Sequence, residues 1–256
     1  MIPPWRFTNG SMPELAYDLH IHSCLSPCGD DDMTPANIVG MAKVIGLDLI
    51  ALTDHSSCKN CPAFAAAAAA YGMNVLFGME LTTAEEVHVL CYFPTLNDAM
   101  AFDAYVYGQL PDIPNTPALF GNQLIYDEND QICGREEKLL ISATAISFDQ
   151  VFDLVRSYHG IMVPAHINKP STSLLGNLGF IPPDSRFTCV EVKDPADWPA
   201  LQDTYPYLKK CRMLNSSDAH DLNTLQEPLF FIRPEDPSPA AVLKYLETSG
   251  GLHRTA

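Results

Sequence analysis

The sequence predicts an α/β protein, either a barrel or an open wound sheet, from two observations. Short apolar runs of strand character alternate with segments that carry helix start and stop signals, and six of the eight histidines fall in or just beyond those runs. Such alternation implies parallel strands joined by crossover helices, which gathers the loops after the strands at one edge of the sheet.

Strands are expected at 16–21, 47–53, 74–77, 87–93, 160–165, 187–192 and 212–215. Thr34 before Pro35 is an N-cap followed by a proline at the first helical position, so a helix should run to Ile45 and stop at Gly46. The alanine-rich stretch 62–71 ends at Gly72 in the same manner. Ser147 with Gln150 forms a capping box that opens a helix to about Tyr158, and Ser238 with Pro239 opens the last one. Only 111–145 breaks the rhythm: 123–126 and 131–135 flank the turn-like Asp127-Glu128-Asn129-Asp130. That pair reads as a hairpin inserted on one rim, either a lid or a decorative excursion. The whole chain, 1–256, reads as one domain around it.

With 256 residues, 47% of them hydrophobic and 18% charged, the chain is globular, and 21 prolines with 14 glycines imply many loops. Lys and Arg total 15 against 31 Asp and Glu, and the net charge of −16 repels a polyphosphate unless cations intervene. A sequence-independent grip on long nucleic acid is therefore not expected. The 1–7 segment lacks the apolar core of a secretory signal, and no span approaches the roughly 20 apolar residues that cross a bilayer. A cytoplasmic protein without a membrane partner is expected. In that compartment the eight cysteines are thiols or metal ligands rather than disulfides.

The placement of the histidines carries the chemistry. His20 and His22 end the first strand, His55 follows the second, His88 lies in the fourth, His166 ends the fifth and His220 follows the last. In Asp18-Leu19-His20-Ile21-His22, alternate residues of a strand share one face and can converge on one cation. Ser217-Asp218-Ala219-His220 repeats the idea, while Thr53-Asp54-His55 and Gly78-Met79-Glu80 each set a ligand after an apolar strand. Imidazoles mixed with carboxylates suit Zn²⁺, Mn²⁺ or Fe²⁺ rather than Ca²⁺ or Mg²⁺. Any single member, such as His166, is more often a hydrogen-bonded structural residue; recurrence at strand ends favours the joint metal reading. For Asp18, accepting a hydrogen bond from an imidazole or the backbone is preferred to ligation, and Asp54 orients His55 or caps the following loop.

These segments resemble the PHP (polymerase and histidinol phosphatase) family, through DLHIHS at 18–23, TDH at 53–55, GME at 78–80, EEVHVL at 85–90, PAH at 164–166 and SSDAH at 216–220. The resemblance implies a distorted (β/α)7 barrel holding two or three metal ions at the carboxyl ends of its strands. It implies one ion on His20, His22, Glu80 and Asp218, with Glu80 bridging to a second on His88 and His166. A third position would take His55, His220 and an acidic residue after the first motif, where Asp30 fits best and Asp31 or Asp32 are alternatives.

Such a cluster would draw phosphate oxygens into an acidic cleft and lower the pKa of a bridging water from 15.7 towards about 7. The resulting hydroxide is the expected nucleophile, with His55, His220 and Asp218 beside the reacting atoms and a protonated His55 or His220, or a bound water, as general acid. Ser23, Ser26, Ser56 and Ser57 lack a Ser-His-Asp arrangement independent of these ligands. Lys169 and Arg135 are the expected substrate contacts, each equally readable as a solvated surface cation, with weaker claims for Arg186 and Lys193. Cys24, Cys28, Cys58 and Cys61 form a candidate second site for structural Zn²⁺ or an iron-sulfur cluster, against which stands a reading as four reduced thiols. The expected activity is a metal-dependent phosphoesterase acting on a small phosphorylated metabolite, nucleotide or short oligonucleotide. The alternatives are a histidinol-phosphatase-like phosphomonoesterase, a metal-dependent amidohydrolase and a noncatalytic metal-binding module. Polymerase-linked proofreading is not expected, since 256 residues leave no room for a polymerase.

Overall fold

Local signals set most of the elements where expected. In the computed structural model, which describes residues 12–248, strand β1 (Leu15–Ile21) leads through helix α1 (Pro35–Ile45) to β2 (Leu49–Leu52), α2 (Cys61–Tyr71), β3 (Asn74–Thr82) and β4 (His88–Phe93). Helices α3 (Leu96–Tyr107) and α4 (Pro117–Phe120) and the hairpin β5 (Leu124–Tyr126) and β6 (Ile132–Arg135) follow. Next come α5 (Phe148–Ser157), β7 (Ile161–Pro164), β8 (Cys189–Glu191), α6 (Trp198–Thr204), β9 (Arg212–Leu214), β10 (Phe231–Ile232) and α7 (Pro239–Glu247). The 1–7 segment and His253 lie outside the described residues.

The Thr34 hydroxyl accepts from the Asn37 amide at 3.2 Å, and Gly46 and Gly72 end α1 and α2 in left-handed conformations with φ of 91° and 61°. Helix α3 has no counterpart in the sequence reading, although its start signal is present: the Thr95 hydroxyl accepts from the Asp98 amide at 3.1 Å. The expected hairpin forms at β5 and β6 as an antiparallel pair.

Six strands form one mixed, curled sheet in the order β10-β1-β2-β3-β4-β7, and β8 and β9 pair separately. Parallel pairing holds from β1 through β3, but β4 runs antiparallel to both its neighbours, against the expectation of uniform parallel pairing. The reason lies in the connection. Only residues 83–87 join β3 to β4, too few for a crossover, so the chain must turn back on itself. A closed ring of seven strands is likewise not what the ladders draw. The strand pair β8–β9 meets the large sheet through β7 and through a parallel bridge between Ile21 and Ala219.

Alternation along the strands sorts the core onto two faces. Ile50, Leu52, Val89 and Cys91 pack with Ile38, Phe64, Phe102 and Val155 of the surrounding helices. Leu49, Ala51, Leu90 and Tyr92 pack on the opposite face with Val242 and Leu246 of α7. Among the described residues no helix is long and apolar enough to cross a membrane.

Candidate metal centre

The reversed strand is what completes the centre. Because β4 runs backwards, its first residue, His88, stands at the edge where the parallel strands end, with Thr82 as its register partner. Strand β7 runs antiparallel to β4, so its exit delivers His166 to the same edge. Glu80 lies inside β3 rather than after it. It is bridged to His55, its amide meets the carbonyls of Thr53 and Asp54, and its carbonyl accepts from the Ser56 amide.

Among the described residues, three groups bring their ligand atoms within 4.8 Å of one another: His20, His22, Glu80 and Asp218; His55, Glu80 and His88; and His22, His55 and His220. His166 joins through its Nε2, 3.0 Å from Glu80 Oε1, the oxygen that also lies 2.9 Å from His88 Nδ1. Eight of the nine expected ligands thus meet at one edge.

Asp30 is the ninth, and its carboxylate stays away. Its loop reaches the centre by the backbone, where the Asp30 amide donates to the His220 carbonyl at 2.9 Å, but the exposed side chain accepts from the Asp32 amide at 2.9 Å. Asp31 is engaged by the Asn122 amide at 2.6 Å, and the three-imidazole group takes His22 as its third member instead. Asp18 takes the backbone-accepting role expected of it and joins no ligand group among the described residues. Its carboxylate accepts from the backbone amides of Ser217 and Gln226 at 3.1 Å each, tying β1 to the loop that carries Asp218.

The hydrogen bonds behind the imidazoles test whether the donors fit a cation. His20 Nδ1 lies 2.9 Å from a carboxylate oxygen of Glu191, which can only accept, so the proton sits on Nδ1. Ser26 donates to Asp54 Oδ1 at 2.7 Å and accepts from the His55 amide at 3.1 Å, which leaves its oxygen to accept from His22 Nδ1 at 2.9 Å. Both histidines then turn Nε2 lone pairs toward each other across 3.1 Å, with Glu80 and Asp218 oxygens at 3.3–3.4 Å. Lone pairs and carboxylates facing one another repel unless a cation or protons stand among them, and this donor set fits a divalent transition metal. In addition, His166 Nδ1 is buried without a hydrogen-bond partner, and His55 Nδ1 lies 3.1 Å from Glu80 Oε2 without the alignment of a hydrogen bond.

Without a metal, protons take its place. Burial opposes charge on His20, but the Glu191, Glu80 and Asp218 carboxylates hold its imidazolium well above the usual range. His22 is raised, against burial, by Asp218 and Glu80. In turn, and again against burial, His88, His20 and His55 hold Glu80 well below the carboxylate range, and His20 does the same for Asp218. Burial and neighbouring imidazoles push His55 down, and burial with His22 beside it pushes His220 down to about 4. Cation binding must therefore displace protons.

Glu191 and Ser26 are supporting residues that the sequence reading does not single out, and Asp54, expected to orient His55 or cap the loop, holds Ser23 and Ser26 instead. Glu191 interrupts the apolar run of β8, the one local sign that it had a task, and Ser26 had been weighed only as a nucleophile. Of the expected substrate contacts, Lys169 is at the centre, its Nζ 3.1 Å from Asp218 Oδ2. Lys193 stands beside it, donating to the Ser217 carbonyl at 3.2 Å. Arg135 is exposed on β6 and directs its guanidinium to Asn122, and Arg186 pairs with Asp153.

The four cysteines do not assemble. Cys28 is exposed, Cys24 is directed at the Leu124 carbonyl, and Cys58 and Cys61 face the Gly78 carbonyl at 3.2 and 3.9 Å. None belongs to a ligand group among the described residues. Thiols behave as small hydrophobes with a weak donor, and three of these are buried accordingly.

The fold is similar to that of solved structures. Endonuclease Q from Pyrococcus furiosus superposes with a TM-score of 0.65 and 21% identity over 91% of this chain, which spans 56% of that protein's length. A protein from Bifidobacterium adolescentis described as a metal-dependent phosphoesterase matches with a TM-score of 0.56 and 18% identity, covering 92% of this chain and 96% of that one. Endonuclease Q bound to a 27-mer duplex with an abasic lesion at its active site matches with a TM-score of 0.55 and 21% identity, over 82% of this chain and 50% of that one. No curated protein matches the chain. The duplex complex overturns the expectation that excluded long nucleic acid on overall charge: a protein of this fold takes a duplex at its active site, and what a site accepts is decided by its local field. The PHP domain family model matches residues 18–173, from the strand that carries His20 and His22 to the loop beyond His166. By that match over more than half its length, this chain belongs to the PHP domain family.

Proposed function

We propose that the protein is a metal-dependent hydrolase of phosphoric esters whose substrate is a nucleotide or a nucleic-acid strand. The observation that carries this reading is the pair of imidazole nitrogens held 3.1 Å apart beside two carboxylates, a donor set that a divalent cation would satisfy. One ion would be held by His20, His22, Glu80 and Asp218, and a second by Glu80 with His88 and His166. His55 and His220 would serve a third; His22 stands beside them, but its one free lone pair, on Nε2, belongs to the first ion. Zn²⁺, Mn²⁺ and Fe²⁺ all suit these donors. Bound there, such ions supply water activated near neutral pH and positive charge for phosphate oxygens.

The chain's own residues do the rest. Glu80 turns Oε1 to His20, His88 and His166 and Oε2 to His22 and His55, so one carboxylate links the groups. Asp218 turns Oδ1 to His20 and His22 and Oδ2 to Lys169. The Lys169 ammonium is thus held at the mouth, ready to meet a phosphate oxygen, and Lys193 extends the positive charge along the rim. Burial keeps His55 and His220 neutral, which suits them to hold a cation, so the proton for the leaving group comes from solvent at the mouth. A duplex-bound Endonuclease Q of similar fold supports a nucleic-acid substrate for this chain as well. The same proposal takes 1–256 as one domain in a cytoplasmic setting, its seven-stranded barrel completed by β8 and β9, with 111–145 as the insertion.

The test is direct. Protein stripped by chelator and reloaded with Mn²⁺, Fe²⁺ or Zn²⁺ is offered phosphomonoesters, nucleotides, single strands and a duplex with an abasic site. Metal-dependent release of phosphate or of a shortened strand is expected. No turnover of any ester with all three metals would overturn the reading.

A further inference from the structure

We infer that Glu191 is a positioning residue that couples the two groups sharing Glu80, fixing the tautomer of His20 and the turn of His166 with one buried carboxylate. This rests on the metal reading of the centre but not on the ester it cleaves. Glu191 is only 2% exposed, at the end of β8, and every hydrogen bond described for its carboxylate goes to these two histidines. Oε2 accepts from His20 Nδ1 at 2.9 Å and from the His166 amide at 3.0 Å, and Oε1 lies 3.2 Å from the same Nδ1.

Two consequences follow from this geometry. With only an acceptor behind it, His20 carries its proton on Nδ1 and keeps Nε2 free toward His22, Glu80 and Asp218. His166 has φ of 28°, a left-handed backbone that a residue with a side chain seldom adopts. The Glu191 side chain grips the His166 amide, and the Glu191 carbonyl accepts from the Ile167 amide at 2.9 Å, so one residue clamps both sides of the strained turn. That clamp keeps His166 Nε2 3.0 Å from Glu80 Oε1 and its ring stacked 5.8 Å from the ring of His20.

Glu191→Gln tests the inference with nearly the same shape. Both carboxylate oxygens lie within 3.2 Å of His20 Nδ1, so in either orientation the amide sets an N–H pair against that nitrogen. His20 escapes by moving its proton to Nε2, withdrawing the lone pair from the centre. Titration of chelator-stripped protein with Zn²⁺ is expected to show affinity reduced about 10–100-fold. In the Zn²⁺-loaded protein, the ¹⁵N spectrum of the labelled histidines should show one ring changing from Nδ1–H to Nε2–H, with the melting temperature of the metal-free protein unchanged within a few degrees. Wild-type affinity with Nδ1–H retained would overturn the assignment. If Glu191→Gln does not fold, Glu191→Asp keeps the charge but is one methylene short. Weaker Zn²⁺ binding with the His20 tautomer preserved then supports the clamp, and wild-type binding removes it. A wild-type protein that binds Zn²⁺ but hydrolyses no ester ends the phosphoesterase reading alone, whereas one that binds no Zn²⁺ ends both.

Discussion

Cys24, Cys28, Cys58 and Cys61 follow β1 and β2, as His22 and His55 of the imidazole–carboxylate cluster do, yet only the histidines converge with the cluster's other members. Each histidine of the cluster that lies on β1 has an acceptor behind it, Glu191 for His20 and Ser26 with Asp54 for His22, so its free lone pair is aimed inward. The thiols have no such backing. Three are buried against main-chain carbonyls and the fourth is in solvent. Closeness in sequence supplies candidates for a metal site. What makes one is the set of hydrogen bonds that stops the candidates from turning elsewhere.

The largest effect should come from the residue on which the converging region depends. Glu80→Gln leaves one acceptor where two oxygens served His20, His22, His55, His88 and His166. Metal content measured by elemental analysis should fall at more than one position, and affinity should drop by at least about 100-fold, the upper end for loss of a supporting partner. Full metal occupancy in this variant would break the contrast with the cysteines.

Acidity should move affinity and apo stability in opposite directions. His20 and His22 are raised above 6.5 in the metal-free fold, so they must lose protons to bind a cation. Affinity should rise about tenfold per pH unit for each proton displaced, seen as proton release by calorimetry in buffers of different ionisation enthalpy. The raised imidazoles stabilise the metal-free protein fully below 6.5, and that contribution is lost as pH climbs through their folded values. Glu80 and Asp218, held low, stabilise above their usual 4.5 and 3.8 and lose that contribution as pH falls through their folded values. Denaturant titrations of stripped protein should therefore show stability declining from pH 6.5 upward. A rise would contradict the charge distribution described.

A smaller effect separates the two expected substrate cations. Lys169→Ala should raise KM for a phosphorylated substrate about tenfold, the loss of roughly one charge-assisted hydrogen bond, while Arg135→Ala should stay within about twofold. Steady-state kinetics with equal metal loading checks this, and the reverse order would move the phosphate site toward the hairpin. The smallest effect is expected where the second metal site had been placed. Cys24→Ser with Cys61→Ser should leave zinc, iron and sulfide content unchanged and cost about 1–3 kcal/mol of stability by burying hydroxyls among apolar neighbours. A drop in metal content would return the cysteines to the ligand set.

Much of the centre was legible because a strand exposes alternate residues and a sheet edge collects loops; those two regularities place His20, His22, His55, His166, Asp218 and His220 without any coordinates. Asp18, on the same strand, is a backbone acceptor as expected, taking the amides of Ser217 and Gln226. Asp30 was chosen on spacing, yet the Asp32 amide two residues away captures its carboxylate. Glu191 was hidden for the opposite reason, since a lone acid in an apolar strand reveals nothing of the histidines that will surround it.

The sequence by itself determined which residue types reach one edge, because helix caps, strand period and the five residues between β3 and β4 are properties of neighbours along the chain. Which of them converge is a matter of contacts between distant segments. That convergence depends on Glu191, 171 positions from His20, and on Asp54, which holds the Ser26 hydroxyl behind His22, and long-range hydrogen bonds leave no trace in a local pattern.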